Sequence, residues 1–376
     1  MTRAARQAEA DQVSAAFHLA LTQIGVQTTA EALTLWAEVP PAQRAVAAAG
    51  WLRRAITLVM SKRRMSRDLA RAYYRLARAL HTGRTIADPY HPEPTYITLD
   101  SLRREFAALA GLPALPKTPE PATRDQGHEE ALLEGADAQA APDTDEGQEL
   151  SDDDVDEDWE RVLVEEIAHL RQEEERIERE AEAELRAALS ALGTQNLDRR
   201  LSEIDDAQPA RDADKAREDA HRQAGAQQAA SASRIAMNGG RSTVWHHAQR
   251  DRRALGYVRV SRTGTPCGFC AMLISRGVSY KSRSSATYKD GDLFHDRCQC
   301  YAEPVFNRQQ FGSSELFALN REYEALWPEI TRGHTGRDAL NAWRRFIRRK
   351  QRELHRELHK AAAQEARQST NTTQEA

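Results

Sequence analysis

Cysteine occurs four times in this chain of 376 residues, and every copy falls between positions 267 and 300. The four form two close pairs, Cys267-Gly-Phe-Cys270 and Cys298-Gln-Cys300, with His295 just ahead of the second pair. A Cys-x-x-Cys turn presents two sulfurs to one metal ion without straining the backbone. Zn2+ takes four tetrahedral ligands, so a second pair has to arrive from elsewhere in the chain. Five candidates for four places leave two solutions. One is an all-cysteine set with His295 close by as a donor to a ligand. The other is three cysteines and one histidine, with His295 and Cys300 completing the set and Cys298 packed nearby. Both sets are closed, with no seat for a catalytic water, so the predicted Zn2+ is structural.

Other chemistry fits the same residues less well. Two disulfides would need an oxidising compartment. The opening residues Met1-Thr2-Arg3-Ala4-Ala5-Arg6-Gln7 run into no apolar signal region, and no stretch approaches the eighteen or so apolar residues of a membrane span. The expectation is synthesis in the cytosol, reduced thiols and no membrane partner. Pro266-Cys267-Gly268-Phe269-Cys270 also matches half of the zinc deaminase signature, but His247-Ala248-Gln249 carries a glutamine where that chemistry needs a proton-shuttling glutamate. That reading would leave His295, Cys298 and Cys300 without a role. Serines 275, 279, 284 and 285 and histidines 246, 247 and 295 are available for nucleophilic catalysis, yet no G-x-S-x-G elbow accompanies them. The residues favour a non-enzymatic protein.

The elements that must position the cysteines are mostly helical. Aromatic residues are 6% of the chain and charged residues 29%, poor material for one large core and better suited to an elongated helical protein. The reading is mainly α: an elongated helical N-terminal domain (1–111), an acidic disordered linker (112–158), a long helical arm (159–230), a small α+β zinc-stapled domain (231–312) and a basic helical tail (313–376). In the first region Val13, Phe17, Leu21 and Ile24 recur at helical spacing. Thr28-x-x-Glu31 reads as a capping box opening a second helix, Ser66 as the cap of a later one, and Asp100 as the cap of a short one. Gly83 and Gly111 read as helix stops, and Trp51, Tyr73 and Tyr74 as core.

The linker assignment rests on prolines, glycines and charge. Residues 125–158 contain no Lys or Arg and many Asp and Glu. In the arm, Trp159, Val162, Leu163, Ile167, Leu170 and Ile177 recur mostly at three and four, Gly193 reads as a C-cap, and a polar helix follows from about Asn196 to Gln228. Around the cysteines, Tyr257–Val260, Gly277–Tyr280 and Tyr301–Phe306 read as short strands, Ala271–Ile274 as a short helix, and Lys281–Asp292 as a polar, mobile loop. The tail from Thr335 is a basic amphipathic helix with Leu340, Trp343, Ile347, Leu354 and Leu358 on one face. Net charge is −4, but residues 241–283 hold nine Lys or Arg and one acid, Asp251. That block and the tail could contact DNA phosphates without sequence preference, since the two-Cys, two-His finger pattern is missing.

The stretch from Arg259 to Phe306 resembles the C-terminal domain of Mu F-like minor head proteins of tailed bacteriophages, as found in actinobacterial phages and prophages. The residues that carry the likeness are Cys267, Cys270, Leu273, Gly277, Phe294, His295, Cys298, Cys300 and Pro304-Val305-Phe306. Trp51 and Tyr73-Tyr74-Arg75 look similar too, less specifically. The resemblance implies a minor capsid protein of the virion, in the procapsid interior or at the portal, acting in head morphogenesis or DNA delivery. Its expected partners are the portal protein and the major capsid and procapsid proteins. Some relatives of this kind are described as capsid maturation proteases, which makes a protease, or a protease fused to a minor capsid protein, the alternative function.

Overall fold

The computed structural model describes residues 2–86, 97–113, 171–204 apart from 173, 209–262, 266–280 and 294–374. The protein is mainly helical, with one small sheet. Its chain divides into two compact units, 1–244 with 295–297, and 245–294 with 298–376.

The first unit is built from α1 (Arg3–Ala37), α2 (Arg44–Thr82), α3 (Leu99–Ala110), α4 (174–189), α5 (Asn196–Ser202) and most of α6 (Ala210–Arg250). α1 buries Val13, Phe17, Leu21, Ile24, Thr28, Ala32 and Trp36, a stripe at intervals of three and four that extends the apolar face read from sequence. The helix runs straight through the expected capping box at Thr28. That side chain is buried, and its hydroxyl is satisfied by donating to the Ile24 carbonyl at 2.7 Å, so it has no cap to make. Ser66 also lies inside a continuous helix. Its Oγ donates to the Ala236 carbonyl at 2.5 Å and accepts from the Gly240 N–H at 3.0 Å, joining α2 to α6. α3 is capped by Thr98, which exchanges hydrogen bonds with Ser101, while Asp100 sits in the first turn. Gly83 and Gly111 do end helices, at φ of 79° and 65°.

Two apolar clusters hold this unit. In one, the Phe17 and Tyr73 rings stack at 4.2 Å, with Phe106 at 6.3 Å from Tyr73. In the other, Trp36 and Trp51 meet edge to face at 4.9 Å among Leu185, Leu189, Leu197 and Ala224. The stretch read as an arm therefore supplies much of that second core. Gly193, read as a helix stop, lies in a π-helical turn (Ser190–Gln195), where a Cβ would come within 2.7 Å of the Trp51 ring. The acidic segment 114–158, the start of the arm to 170 and the loop 281–292 lie outside the described residues.

The second unit begins in the last turns of α6. It continues through β1 (Gly256–Val260), α7 (Gly268–Ile274), β2 (Ser279–Tyr280), β3 (Tyr301–Val305), α8 (Arg308–Ser313), α9 (Ala318–Ile330) and α10 (Gly336–Gln374). The strands form an antiparallel sheet in the order β2-β1-β3, with Gly256 opposite Val305 and Val260 opposite Tyr301. Every residue of β1 and β3 is buried. Asn320 of α9 donates its side-chain amide to the Arg259 carbonyl at 2.9 Å, tying the helix to the sheet. Trp343 of α10 is fully buried and contacts Tyr323, Trp327 and Phe346 with ring centroids 5.1–5.5 Å apart.

Candidate metal centre

Two short segments carry the four thiols. Cys267 is the N-cap of α7, and its Sγ accepts a hydrogen bond from the Cys270 N–H at 3.4 Å. The two cysteines stand three residues apart, most of one helical turn, so both sulfurs lie at the start of the helix. Cys298 and Cys300 are alternate residues leading into β3, and alternate residues of an extended chain point to the same side. The turn before them is tight: Arg297 adopts φ of 63°, in the left-handed region that side chains other than glycine seldom occupy.

The structure brings these residues together. The sulfurs of Cys270, Cys298 and Cys300 all lie within 4.8 Å of one another, and Cys270 Sγ is 3.4 Å from Cys298 Sγ. The sulfurs of Cys267 and Cys270 and a ring nitrogen of His295 form a second group within the same limit. Cys270 belongs to both. Tetrahedral zinc with Zn–S bonds of about 2.3 Å sets its sulfurs ~3.8 Å apart, so the spacing suits such an ion. All four cysteines are free thiols, and 3.4 Å is far beyond a disulfide bond of about 2.05 Å.

Burial separates the candidates. Cys270, Cys298 and Cys300 are buried, Cys267 is half-buried and His295 is exposed. The His295 Nδ1 lies 2.7 Å from the Asp296 carbonyl oxygen, so one ring nitrogen is already engaged by backbone. Cys298 stands inside the buried trio and not beside it.

The electrostatics follow from crowding. Hydrogen-bonding contact with Cys267, Cys298 and Cys300, together with burial, pushes the Cys270 thiol well above its ordinary value. Cys300 is pushed up to about 12: contact with Cys270 pulls it down, but contact with Cys298 and burial outweigh that, and the Arg259 guanidinium lowers it only slightly. The Cys270 and Cys300 thiols keep their protons unless a cation compensates the negative charge of the thiolates. A divalent metal supplies that charge, and so the donor set fits one. Arg259 is itself buried, with its guanidinium 4.0 Å above the Phe294 ring.

The sulfurs sit in a mixed core. Cys270, Cys298 and Cys300 pack with Ala271, Ile274, Phe294, Tyr323, Trp343 and Ile347. Reading the sequence missed that α9 and α10 cover the thiols. The signal was available in the Trp343–Ile347 stripe, but a stripe alone does not say what it covers.

Of the serines considered for nucleophilic catalysis, Ser275 is the one whose side chain is described. Ser275 donates to the Met272 carbonyl at 2.8 Å, as a helix-end serine does, and Ser284 and Ser285 lie outside the described residues. Among the described residues, no helix is long and apolar enough to cross a membrane. No curated protein and no solved structure matches the chain. The family model described as VG15 protein matches residues 202–326, a stretch that includes all four cysteines, and this similarity points to a phage protein family.

Proposed function

We propose that the chain is a phage minor capsid protein of the Mu F-like kind, acting in head morphogenesis at the portal, with one structural Zn2+ holding its second unit. The observation that carries this reading is the buried thiol cluster inside the stretch that matches a phage family. The ligand set supported best is Cys267, Cys270, Cys298 and Cys300. Three of these sulfurs converge in a buried core and the fourth caps α7, while His295 is exposed. Such a set is closed, and a closed set supplies rigidity to a small fold and no open coordination position. In this role Cys267 and Cys270 fix the start of α7, and Cys298 and Cys300 fix the approach to β3. Arg259 contributes a single positive charge beside thiolates that would otherwise repel one another. The partners are the portal protein and the major capsid and procapsid proteins, and the chain resides in the virion.

Two measurements test this. Metal analysis of protein purified without chelator is expected to give about one zinc per chain, as one closed four-ligand site requires. A ratio near zero in folded protein would remove the zinc. Co-expression with the portal and major capsid proteins from the same gene cluster is expected to place the chain in purified procapsids. Its absence from them, or capsid cleavage that depends on a serine or histidine of this chain, would replace the assembly role.

A further inference from the structure

α10 presents a second chemical feature, separate from the thiols. An open groove of about 1480 Å3 runs between the end of α9 and one face of α10. Five arginines line it: Arg345, Arg348, Arg349, Arg352 and Arg356. Two carboxylates, Glu329 and Glu353, also reach its walls, which leaves a clear cationic excess. At 100° per residue, positions 345, 349, 352 and 356 fall within about 60° of one another around the helix, and they extend over about 16 Å of its length. Lys360 continues the row.

These arginines differ from the buried and half-buried ones of the first unit. In the first unit, Arg63, Arg71, Arg75 and Arg103 are each held by a carboxylate. Arg345, Arg348, Arg352 and Arg356 make no ion pair among the described residues, and all four are exposed. Five guanidinium groups crowded on one face repel each other, and isolated folding gives no reason to align them.

We propose that this groove binds the phosphate backbone of nucleic acid. Guanidinium groups match phosphate oxygens two at a time, and a continuous row suits a polyanion better than a single ion. A duplex carries one charge per about 1.7 Å, so the row faces a length holding about nine phosphates on the two strands. The row tracks the backbone: its guanidinium groups lie along one helix face at a spacing suited to successive phosphates. Gln351, the one amide on its wall, spends its side-chain N–H on the Pro266 carbonyl at 3.1 Å. Phosphate contacts carry no sequence information, so binding through them is expected to be indifferent to sequence. A lipid surface fits less well. An amphipathic helix enters a membrane by its apolar face, and here that face is buried in the protein's own core through Trp343 and Ile347, leaving Leu358 as the one large apolar side chain of α10 exposed among the described residues. The block 241–283, considered earlier for the same role, is weaker. Its Arg241 and Arg259 are buried.

The test uses the full zinc-loaded chain and a labelled random-sequence DNA duplex, with binding followed by fluorescence anisotropy across a salt series. The wild type is expected to bind with an affinity that falls steeply with salt. The triple substitution Arg349→Gln, Arg352→Gln, Arg356→Gln is expected to weaken binding at least tenfold and to flatten the salt slope by about 2.7, or about 0.9 for each lost phosphate contact. All three side chains are exposed, so the fold should persist, and unchanged zinc content and circular dichroism would verify that. Arg252→Gln with Arg276→Gln, exposed on the same unit outside the groove, is expected to leave binding unchanged. An unaltered triple variant, or equal loss in the control pair, would overturn the proposal. So would displacement of the duplex by polyglutamate at matched charge, which would favour an acidic protein, or binding to phosphatidylserine vesicles and not to duplex. The assay needs no capsid component, so its failure leaves the procapsid role standing, and failure of that role leaves this site standing.

Discussion

The first unit closes its core with rings, while the second closes its core with thiols and rings together. Phe17, Tyr73, Trp36 and Trp51 are all buried in the first, packed at ring distances of 4.2–4.9 Å. In the second, three of the buried positions at the centre are Cys270, Cys298 and Cys300, and Trp343 lies over them. A ring contributes to stability chiefly by leaving water, with no metal required. A buried thiol contributes as a small apolar group, and contributes far more when a metal binds it. The first unit should be indifferent to metal, and the second should depend on it.

Zinc removal is the strongest way to break that contrast. Structural zinc in small domains is worth about 10–16 kcal/mol, as much as or more than the 5–15 kcal/mol that holds a typical domain folded. Chelation, or Cys270→Ser, is expected to expose β1, α7 and β3 to protease and hydrogen exchange while α1 and α2 stay protected. Protection of the second unit that survives complete zinc removal would show that Trp343 and its neighbours suffice on their own.

The reciprocal test acts on the first unit. Trp51 is 1% exposed and fills the space beside Trp36 and Gly193. Trp51→Ala should cost about 3–5 kcal/mol, because the cavity it leaves cannot collapse around a second fixed ring. The denaturation midpoint of the first unit should fall, with zinc content unchanged. A fall in zinc content would show that the two units do not behave independently.

Much of this contrast was legible in the sequence. Helical spacing located the buried face of α1, and the cysteine spacing located the metal candidates. The strands Tyr257–Val260 and Tyr301–Phe306 were placed within a residue of their observed ends. The hydroxyl side chains misled. Thr28 and Ser66 have cap-forming chemistry, but a buried hydroxyl can equally satisfy itself on a carbonyl within a helix or on a neighbouring helix, and only packing decides which. Gly193 misled for a related reason. Its lack of a side chain serves Trp51, which lies far away in sequence and close in space. The arginines hid as well, because a list of residues does not separate Arg63, paired with Glu178 at 2.9 Å, from Arg352, which makes no ion pair among the described residues.

A smaller effect should appear with acid. His81, in the last turn of α2, has its pKa lowered from 6.5 to about 4 by burial. Its value in the folded state lies below its unfolded value. The stability it confers is therefore complete above pH 6.5 and is lost as pH falls towards 4, because the unfolded chain takes up the proton first. With the ring only partly screened from water, a loss of about 1–2 kcal/mol is expected across that window. His81→Gln should flatten the dependence, read by hydrogen exchange in α2. An unchanged slope would assign the acid sensitivity to other groups.

The smallest effect concerns the exposed ion pairs of α4, and it asks whether charge holds the first unit or only decorates it. Arg186 pairs with Glu182 at 3.1 Å and Arg176 with Glu180 at 2.7 Å, and all four side chains are about half exposed or more. Solvent screens such pairs, and each is worth about 0.3–0.5 kcal/mol at most. Their order along the helix differs. Glu182 precedes Arg186, the arrangement that suits the helix dipole, whereas Arg176 precedes Glu180. Arg186→Ala should therefore cost a few tenths of a kcal/mol and Arg176→Ala less, both vanishing in about 1 M salt. The natural comparison is Arg103, half-buried between Glu9 at 2.6 Å and Asp100 at 2.8 Å, whose loss should be the larger and should survive the salt. If the three substitutions cost the same, exposure is not what separates structural from ornamental charge in this unit, and the ring clusters carry less of its stability than their burial indicates.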